Sequence, residues 1–295
     1  MKIAADWNAD NPTFRRFYGW DDDAGSWQTR YVASPAGYVL GRHVFFGKPA
    51  PEKPSEPAGT LFIIHGYLEH GALRVPAALE AVRAGWEACA LDLPGHGFSG
   101  GARADIGDFD EYGRAVQAVL ASENWPQPWR LLAHSTGCAA ALLYIKEHGN
   151  PFEGLVLEAP LVRTFLWKPS LVARRLLRGA VDALPRRNAG LDRDKQFYRQ
   201  LRADPFYMSK VPLGWFDALE AYEARTPAWG ILPGRYLILQ GAADTVVDKT
   251  YNLPFLRQHL AEVEILTIPG GRHHLLRDEG PAGILARREL RQEWY

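Results

Sequence analysis

The sequence predicts an α/β fold, a mostly parallel sheet flanked by helices with a helical segment inserted late in the chain. Three observations carry this. Short apolar runs alternate with segments of helical spacing, the pattern of βαβ units. One run, Leu131-Leu132-Ala133-His134, leads straight into Ser135-Thr136-Gly137 and a helical pattern behind it. Between about Leu161 and Trp229 the alternation stops, leaving helical segments and aromatics without a convincing strand.

The elements follow in chain order. Residues before about Tyr31 are polar and aromatic by turns, with an acidic Asp21-Asp22-Asp23, and read as a surface-packed leader. Val39 to Phe46 and Thr60 to His65 read as strands joined by a Pro-rich loop, Pro49 to Pro54. Ala72 to Ala84 has helical spacing, and Glu87 to Leu91 is the next strand. Asp108 to Ser122 is an amphipathic helix, with Phe109, Tyr112, Val116 and Val119 recurring every three or four residues. Trp129 to Ala133 is a strand and Thr136 to His148 the helix after it; Leu155 to Leu157 is a further strand. Pro169 to Leu184 reads as one amphipathic helix. Tyr236 to Gln240 and Val263 to Ile268 are the last strands, with helices over Tyr251 to Leu260 and Pro281 to Gln292. The organisation is a core in two parts, 1–160 and 230–295, with an insertion at 161–229.

Composition bounds the class. A chain of 295 residues with 47% hydrophobic content buries a substantial core. The formal net charge of +0 gives no global field to recruit nucleic acid. The insertion departs from this balance. Between Leu161 and Arg202 stand eleven Lys/Arg against three Asp, an excess of +8. Cys89 and Cys138 do not form a disulfide framework and read as small buried apolar residues. The N-terminus lacks the apolar core of a signal peptide, and no apolar run approaches the roughly 20 residues of a membrane span, so a cytoplasmic location is the default expectation.

Ser135 has two readings on its residues alone. Small residues two before and two after a serine, between strand and helix, suit a sharp turn that exposes a nucleophilic hydroxyl. The same serine would also serve as a helix N-cap. A serine nucleophile needs a base within hydrogen-bond reach and an acid to orient that base. Downstream, Gly241-Ala242-Ala243-Asp244 ends a strand, Asp248 follows, and Gly270-Gly271-Arg272-His273-His274 offers two adjacent bases. Glu158, at another strand end, is a third acid. His65, His70, His96 and His134 match no metal-ligand spacing and read as loop braces.

The order Ser, Asp, His is that of the α/β-hydrolase triad. With His65-Gly66, Leu91-Asp92-Leu93-Pro94-Gly95-His96-Gly97-Phe98-Ser99 and the elbow, the chain resembles the α/β-hydrolase family. Within it, the resemblance is to the monoacylglycerol lipase and lysophospholipase branch of serine aminopeptidase S33-like proteins, running from about Val39 to the C-terminus and weakest between Val162 and Pro233. The chain departs from the pattern at Ala133, where the elbow usually has Gly, and at Tyr67, where relatives carry a small residue.

The resemblance implies Ser135 as nucleophile, His273 as base and Asp244 as orienting acid, with His274 facing outward or helping to start the following segment. It implies an oxyanion hole from the backbone N–H groups of Tyr67 and Thr136, and the Tyr67 ring either narrows the pocket or adds a hydroxyl to it. It also implies a helical cap at the insertion, a small-molecule acyl ester as substrate, and neither cofactor nor metal. The basic part of that cap has three readings: a solvated face, a patch for a membrane or micelle surface, or recognition of a head-group phosphate by an arginine such as Arg174 or Arg178. Two other functions stand beside ester hydrolysis. A prolyl-type aminopeptidase would normally carry Gly-Gly-Pro-Gly where this chain has Gly66-Tyr67-Leu68-Glu69. A non-hydrolytic binding protein on the same scaffold has no use for a complete triad.

Overall fold

The computed structural model describes residues 7–48, 56–177, 179–186, 195–277 and 280–294. The Pro-rich loop read at 49–54, and Arg178, Arg187 and Arg193 of the basic run, lie outside the described residues. The elements are α1 (Pro12–Phe17), β1 (Gly25–Ala33), β2 (Val39–Gly47), β3 (Thr60–Ile64), α2 (Val75–Arg83), β4 (Glu87–Leu91), α3 (Asp110–Leu120), β5 (Trp129–His134), α4 (Thr136–His148) and β6 (Gly154–Glu158). After these come α5 (Trp167–Leu177), β7 (Ala183–Pro185), α6 (Lys195–Ala203), β8 (Lys210–Pro212) and α7 (Leu213–Arg225). The chain closes with β9 (Leu232–Gly241), α8 (Lys249–His259), β10 (Leu260–Ile268) and α9 (Pro281–Trp294).

Eight strands form one sheet in the order β1-β2-β4-β3-β5-β6-β9-β10. β1 with β2 and β2 with β4 are antiparallel, and the other pairs are parallel. The central strands are continuous apolar runs because helices cover both faces. β3 lies between β4 and β5, so the strand order reverses there, and ligands of open α/β sheets bind outside the carboxyl ends of strands at such a point. The loop after β3 begins at His65-Gly66 and the loop after β5 is the Ser135 turn.

The leader is not a surface feature. Asn11 caps α1 by accepting the Thr13 N–H at 2.8 Å, and the following turns drive Phe14, Tyr18, Trp20 and Trp27 into the core. Phe14 is fully buried, with ring contacts to Trp7, Tyr18, Trp27 and Phe98. β1, unread in the sequence because charged and aromatic residues mask its alternation, pairs with β2 along its whole length.

The insertion also differs from expectation. It contains two short strands, β7 and β8, paired antiparallel. The helix read over Pro169 to Leu184 stops at Leu177, and Gly179 adopts a φ of +83° before the chain turns into β7. Its apolar face is only partly buried: Trp167 and Leu171 pack against the core, but Arg174 is buried while Val172 and Leu176 are 58% and 79% exposed. Among the described residues, no helix is long and apolar enough to cross a membrane.

Because the leader aromatics plug the sheet edge, Phe14→Ala should lower unfolding free energy by about 3–5 kcal/mol. Urea denaturation followed by tryptophan fluorescence measures it, and a loss under about 1 kcal/mol would show that the leader does not belong to the core.

Candidate active site

Local constraints build the turn at Ser135. β5 ends at His134, and Ser135 takes φ +51°, ψ −113°, a region side chains rarely occupy. Its N–H donates to the Glu158 carbonyl at 2.9 Å, and its own carbonyl accepts the Cys138 N–H, so both sides of the strained residue are tied. A Cβ on Gly137 would stand 2.6 Å from the carbonyl oxygens of Ile64 and His65, so only glycine lets α4 approach β3 this closely. Gly66 is equally constrained, since a Cβ there would meet His134 Nδ1 at 2.5 Å. Ala133, where the pattern usually has Gly, fits because its methyl is buried in the core beside β3 and β6.

Asp244 and His273 come together across 29 residues of sequence: His273 Nδ1 donates to Asp244 Oδ2 at 2.9 Å. Gln240 Nε2 donates to the same oxygen at 3.0 Å, and the Val246 N–H donates to Oδ1 at 2.7 Å. Burial alone would raise the Asp244 pKa, but the His273 imidazole and these donors outweigh it and hold the carboxyl well below the usual carboxylate range. Asp248 does something else, accepting the Tyr251 N–H at 3.3 Å as the N-cap of α8. Glu158 is committed to Arg74 Nη1 at 3.1 Å and the Leu276 N–H at 2.9 Å.

His65 and His96 brace the loop between them and Tyr67. His65 Nε2 accepts the Leu93 N–H at 2.9 Å, and His96 Nε2 accepts the Leu68 N–H at 3.3 Å. Among the described residues, the backbone N–H groups of Tyr67 and Thr136 have no hydrogen-bond partner, although both flank Ser135's cavity. The Tyr67 hydroxyl does not enter that cavity; it donates to the Ala104 carbonyl at 2.6 Å. The ring stacks on Trp215, centroids 3.8 Å apart, and forms a wall.

His274 does not face outward. Its Nδ1 lies 3.0 Å from Glu69 Oε1, in a cluster whose His134 and His274 also line the cavity of Ser135. Glu69 Oε2 also accepts the Gly66 N–H at 3.1 Å and a bond from Arg74, and lies 3.4 Å from His134 Nδ1. His134 Nε2 donates to the His273 carbonyl at 3.1 Å, since a carbonyl only accepts. Burial would raise Glu69, but Arg74 and His134 outweigh it and hold its carboxyl well below the ordinary range. Glu69, His134 and His274 bring ligand atoms within 4.8 Å of one another. Arg74 already supplies the positive charge there, so the cluster reads as an ion-pair network rather than a metal site. Its members are widely separated in sequence or sit in an unremarkable loop, and the sequence reading missed Glu69, Arg74 and Gln240.

Ser135, Thr136, Tyr67 and His273 line one cavity of about 370 Å³, which the insertion roofs with Leu184, Arg186, Val211, Trp215 and Phe216. Its size suits a small organic ligand. Part of the basic excess of the insertion is answered by α7. Arg163 pairs with Glu223, Arg174 with Asp217 and Glu220, and Arg175 with Glu220. Arg174 is therefore not a head-group ligand in this cavity.

Residues 55–280 match the family described as serine aminopeptidase, S33. The chain is 27% identical over 261 residues to the monoacylglycerol lipase of Mycolicibacterium smegmatis, covering 85% of this chain and 92% of the relative. It is 30% identical over 211 residues to phospholipase YtpA of Bacillus subtilis, covering 67% and 80%. A soluble variant of Saccharomyces cerevisiae monoglyceride lipase, solved with a substrate analog, superposes with a TM-score of 0.71 at 19% identity, covering 90% of this chain and 93% of that one.

Burial pulls the pKa of His65 and His274 down to about 4 and that of His96 to about 3. A histidine neutral in the fold but protonated in the unfolded chain loses stability as pH falls, with the full contribution above about 6.5. His70 works oppositely: burial would lower it, but Asp204 overrides and raises it, so it adds stability on the acid side. With three against one, unfolding free energy should drop by several kcal/mol between pH 6.5 and 4. Urea midpoints across that range measure this, and an unchanging midpoint would contradict it.

Proposed function

The chain belongs to the serine aminopeptidase S33 family of α/β hydrolases, and from that premise we propose that it hydrolyses single-chain acyl esters of the monoacylglycerol or lysophospholipid type through a covalent acyl-enzyme. The observation that carries the reading is the Asp244–His273 hydrogen bond opening onto the same cavity as a strained, buried Ser135. Ser135 Oγ attacks the ester carbonyl while His273 Nε2 takes its proton. Asp244, ionised throughout the working range, keeps Nδ1–H on the far side of the ring and balances the imidazolium. The tetrahedral oxyanion takes hydrogen bonds from the Tyr67 and Thr136 N–H groups, each worth about 3 kcal/mol of transition-state stabilisation. His273 then protonates the departing alcohol, and water activated by the same ring releases the fatty acid and restores Ser135.

The insertion at 161–229 acts as the cap. Trp215, Phe216, Val211 and Leu161 give the acyl chain an apolar lining. Exposed Phe165, Leu166, Val172 and Leu176 on and before α5, beside Lys168 and Arg175, support contact with a lipid or micelle surface. Leu176→Ser should weaken binding to anionic vesicles in a sedimentation assay without slowing turnover of a soluble short-chain ester. Equal vesicle binding by the variant and the parent would remove this contact.

A fluorophosphonate should label the chain once, and Ser135→Ala, still folded, should not label. Asp244→Asn should cut kcat on a p-nitrophenyl ester by on the order of 10⁴-fold. Asp248→Asn, which loses only a helix cap, should keep most activity. Persistent labelling of the serine variant, or an inactive Asp248→Asn beside an active Asp244→Asn, would overturn the triad.

A further inference from the structure

Arg186 stands apart from the other arginines of the insertion. It follows β7 and is held in place by its backbone, whose N–H donates to the Ser209 carbonyl at 2.8 Å. Its side chain lines the Ser135 cavity, and among the described lining residues it is the one permanent charge, with no carboxylate beside it. Nη1 donates to two neutral carbonyls, Leu68 at 3.2 Å and Met208 at 3.5 Å. The remaining N–H groups on Nε and Nη2 have no protein acceptor among the described residues. The Tyr207 ring lies 5.1 Å from the guanidinium carbon and adds no negative charge at neutral pH.

Arg74, itself buried, is balanced differently. Burial would lower the pKa of either guanidinium. At Arg74 the carboxylates of Glu69 and Glu158 overcome it and raise the value, whereas at Arg186 burial prevails and lowers it. Glu69, the carboxylate nearest in influence to Arg186, is already engaged by Arg74. The cation at the cavity wall is thus undercompensated, and an anion supplied with the ligand would correct this.

Its location decides which half of the ligand. Arg186 grips the carbonyl of Leu68, a left-handed residue at φ +61°, next to the Tyr67 N–H that faces the reacting oxygen. The rest of the roof, Leu184, Val211, Trp215 and Phe216, is apolar and suits a hydrocarbon chain. We propose that Arg186 forms an oxyanion-group subsite for the alcohol half of the ester, so that the chain prefers an acyl ester whose leaving alcohol carries a phosphate over the neutral ester of equal chain length. The proposal rests on the ester-hydrolase reading above. The guanidinium fork binds two phosphate oxygens, which a lysine would contact only as a point charge.

The test compares a monoacylglycerol with the acylglycerol phosphate of the same chain length, both in one neutral detergent, using the parent chain, Arg186→Gln and Arg186→Lys. The parent should favour the phosphate ester by tenfold or more in kcat/KM. Arg186→Gln should erase that ratio, chiefly through KM, and Arg186→Lys should restore part of it. A parent with no preference, or a glutamine variant that loses activity equally on both esters, would overturn the subsite and leave Arg186 as a brace for Leu68. Binding of the acylglycerol phosphate to the Ser135→Ala chain, measured by calorimetry with and without Arg186→Gln, separates the two readings. A chain that hydrolyses neither ester fails as an esterase, yet Arg186-dependent binding would still uphold the subsite, and Arg186-independent binding would refute it.

Discussion

A single buried carboxylate, Glu69, fixes the geometry on which the site depends. Its removal from water costs several kcal/mol unless charge and hydrogen bonds compensate it. The compensation comes from three separate loops. Arg74 supplies the charge, the Gly66 N–H belongs to the turn after β3, His134 to the end of β5, and His274 to the loop after β10. Arg74 then reaches Glu158 at the end of β6, which in turn accepts the Leu276 N–H. Such a cluster adds little net stability, but a misplaced member would leave a charge buried without its partner. The loops carrying Tyr67, Ser135 and His273 are thereby held in one arrangement.

Strain and close approach do the remaining placement. Ser135 and Leu68 both lie at positive φ, and each is fastened on both sides by hydrogen bonds that a relaxed conformation would break. Gly66 and Gly137 are where side chains would separate β3 from the elbow. The parallel sheet supplies the stiffness, because the ends of β3, β5, β6 and β9 all open onto the same edge. Strained active-site residues persist only when such surroundings over-determine them.

The insertion follows a different economy of charge. Three of its arginines, Arg163, Arg174 and Arg175, are paired with acidic side chains of α7, so part of a run that looks basic in sequence is locally neutralised. This pairing buries Arg174 and turns Val172 and Leu176 outward. Arg186 escapes the pairing because β7 delivers it to the cavity rather than to α7.

The sequence by itself determined most of the sheet, β1 apart, and narrowed the candidate site residues. Apolar strands alternating with helical spacing are local signals, and a Ser, Asp and His in that order at strand ends restrict the candidates severely. The resemblance, not the residues alone, preferred Asp244 to Asp248 and His273 to His274; in the structure Asp244 and His273 are hydrogen-bonded and Asp248 caps α8. Three-dimensional packing alone decided the rest. The leader was misread because the burial of Phe14 depends on a partner as far along the chain as Phe98. β7 and β8 are each only three residues long, too short to show a period, and stabilise one another by pairing. His274 turned inward because Glu69 needed it, an attraction between residues about two hundred positions apart that no local pattern encodes.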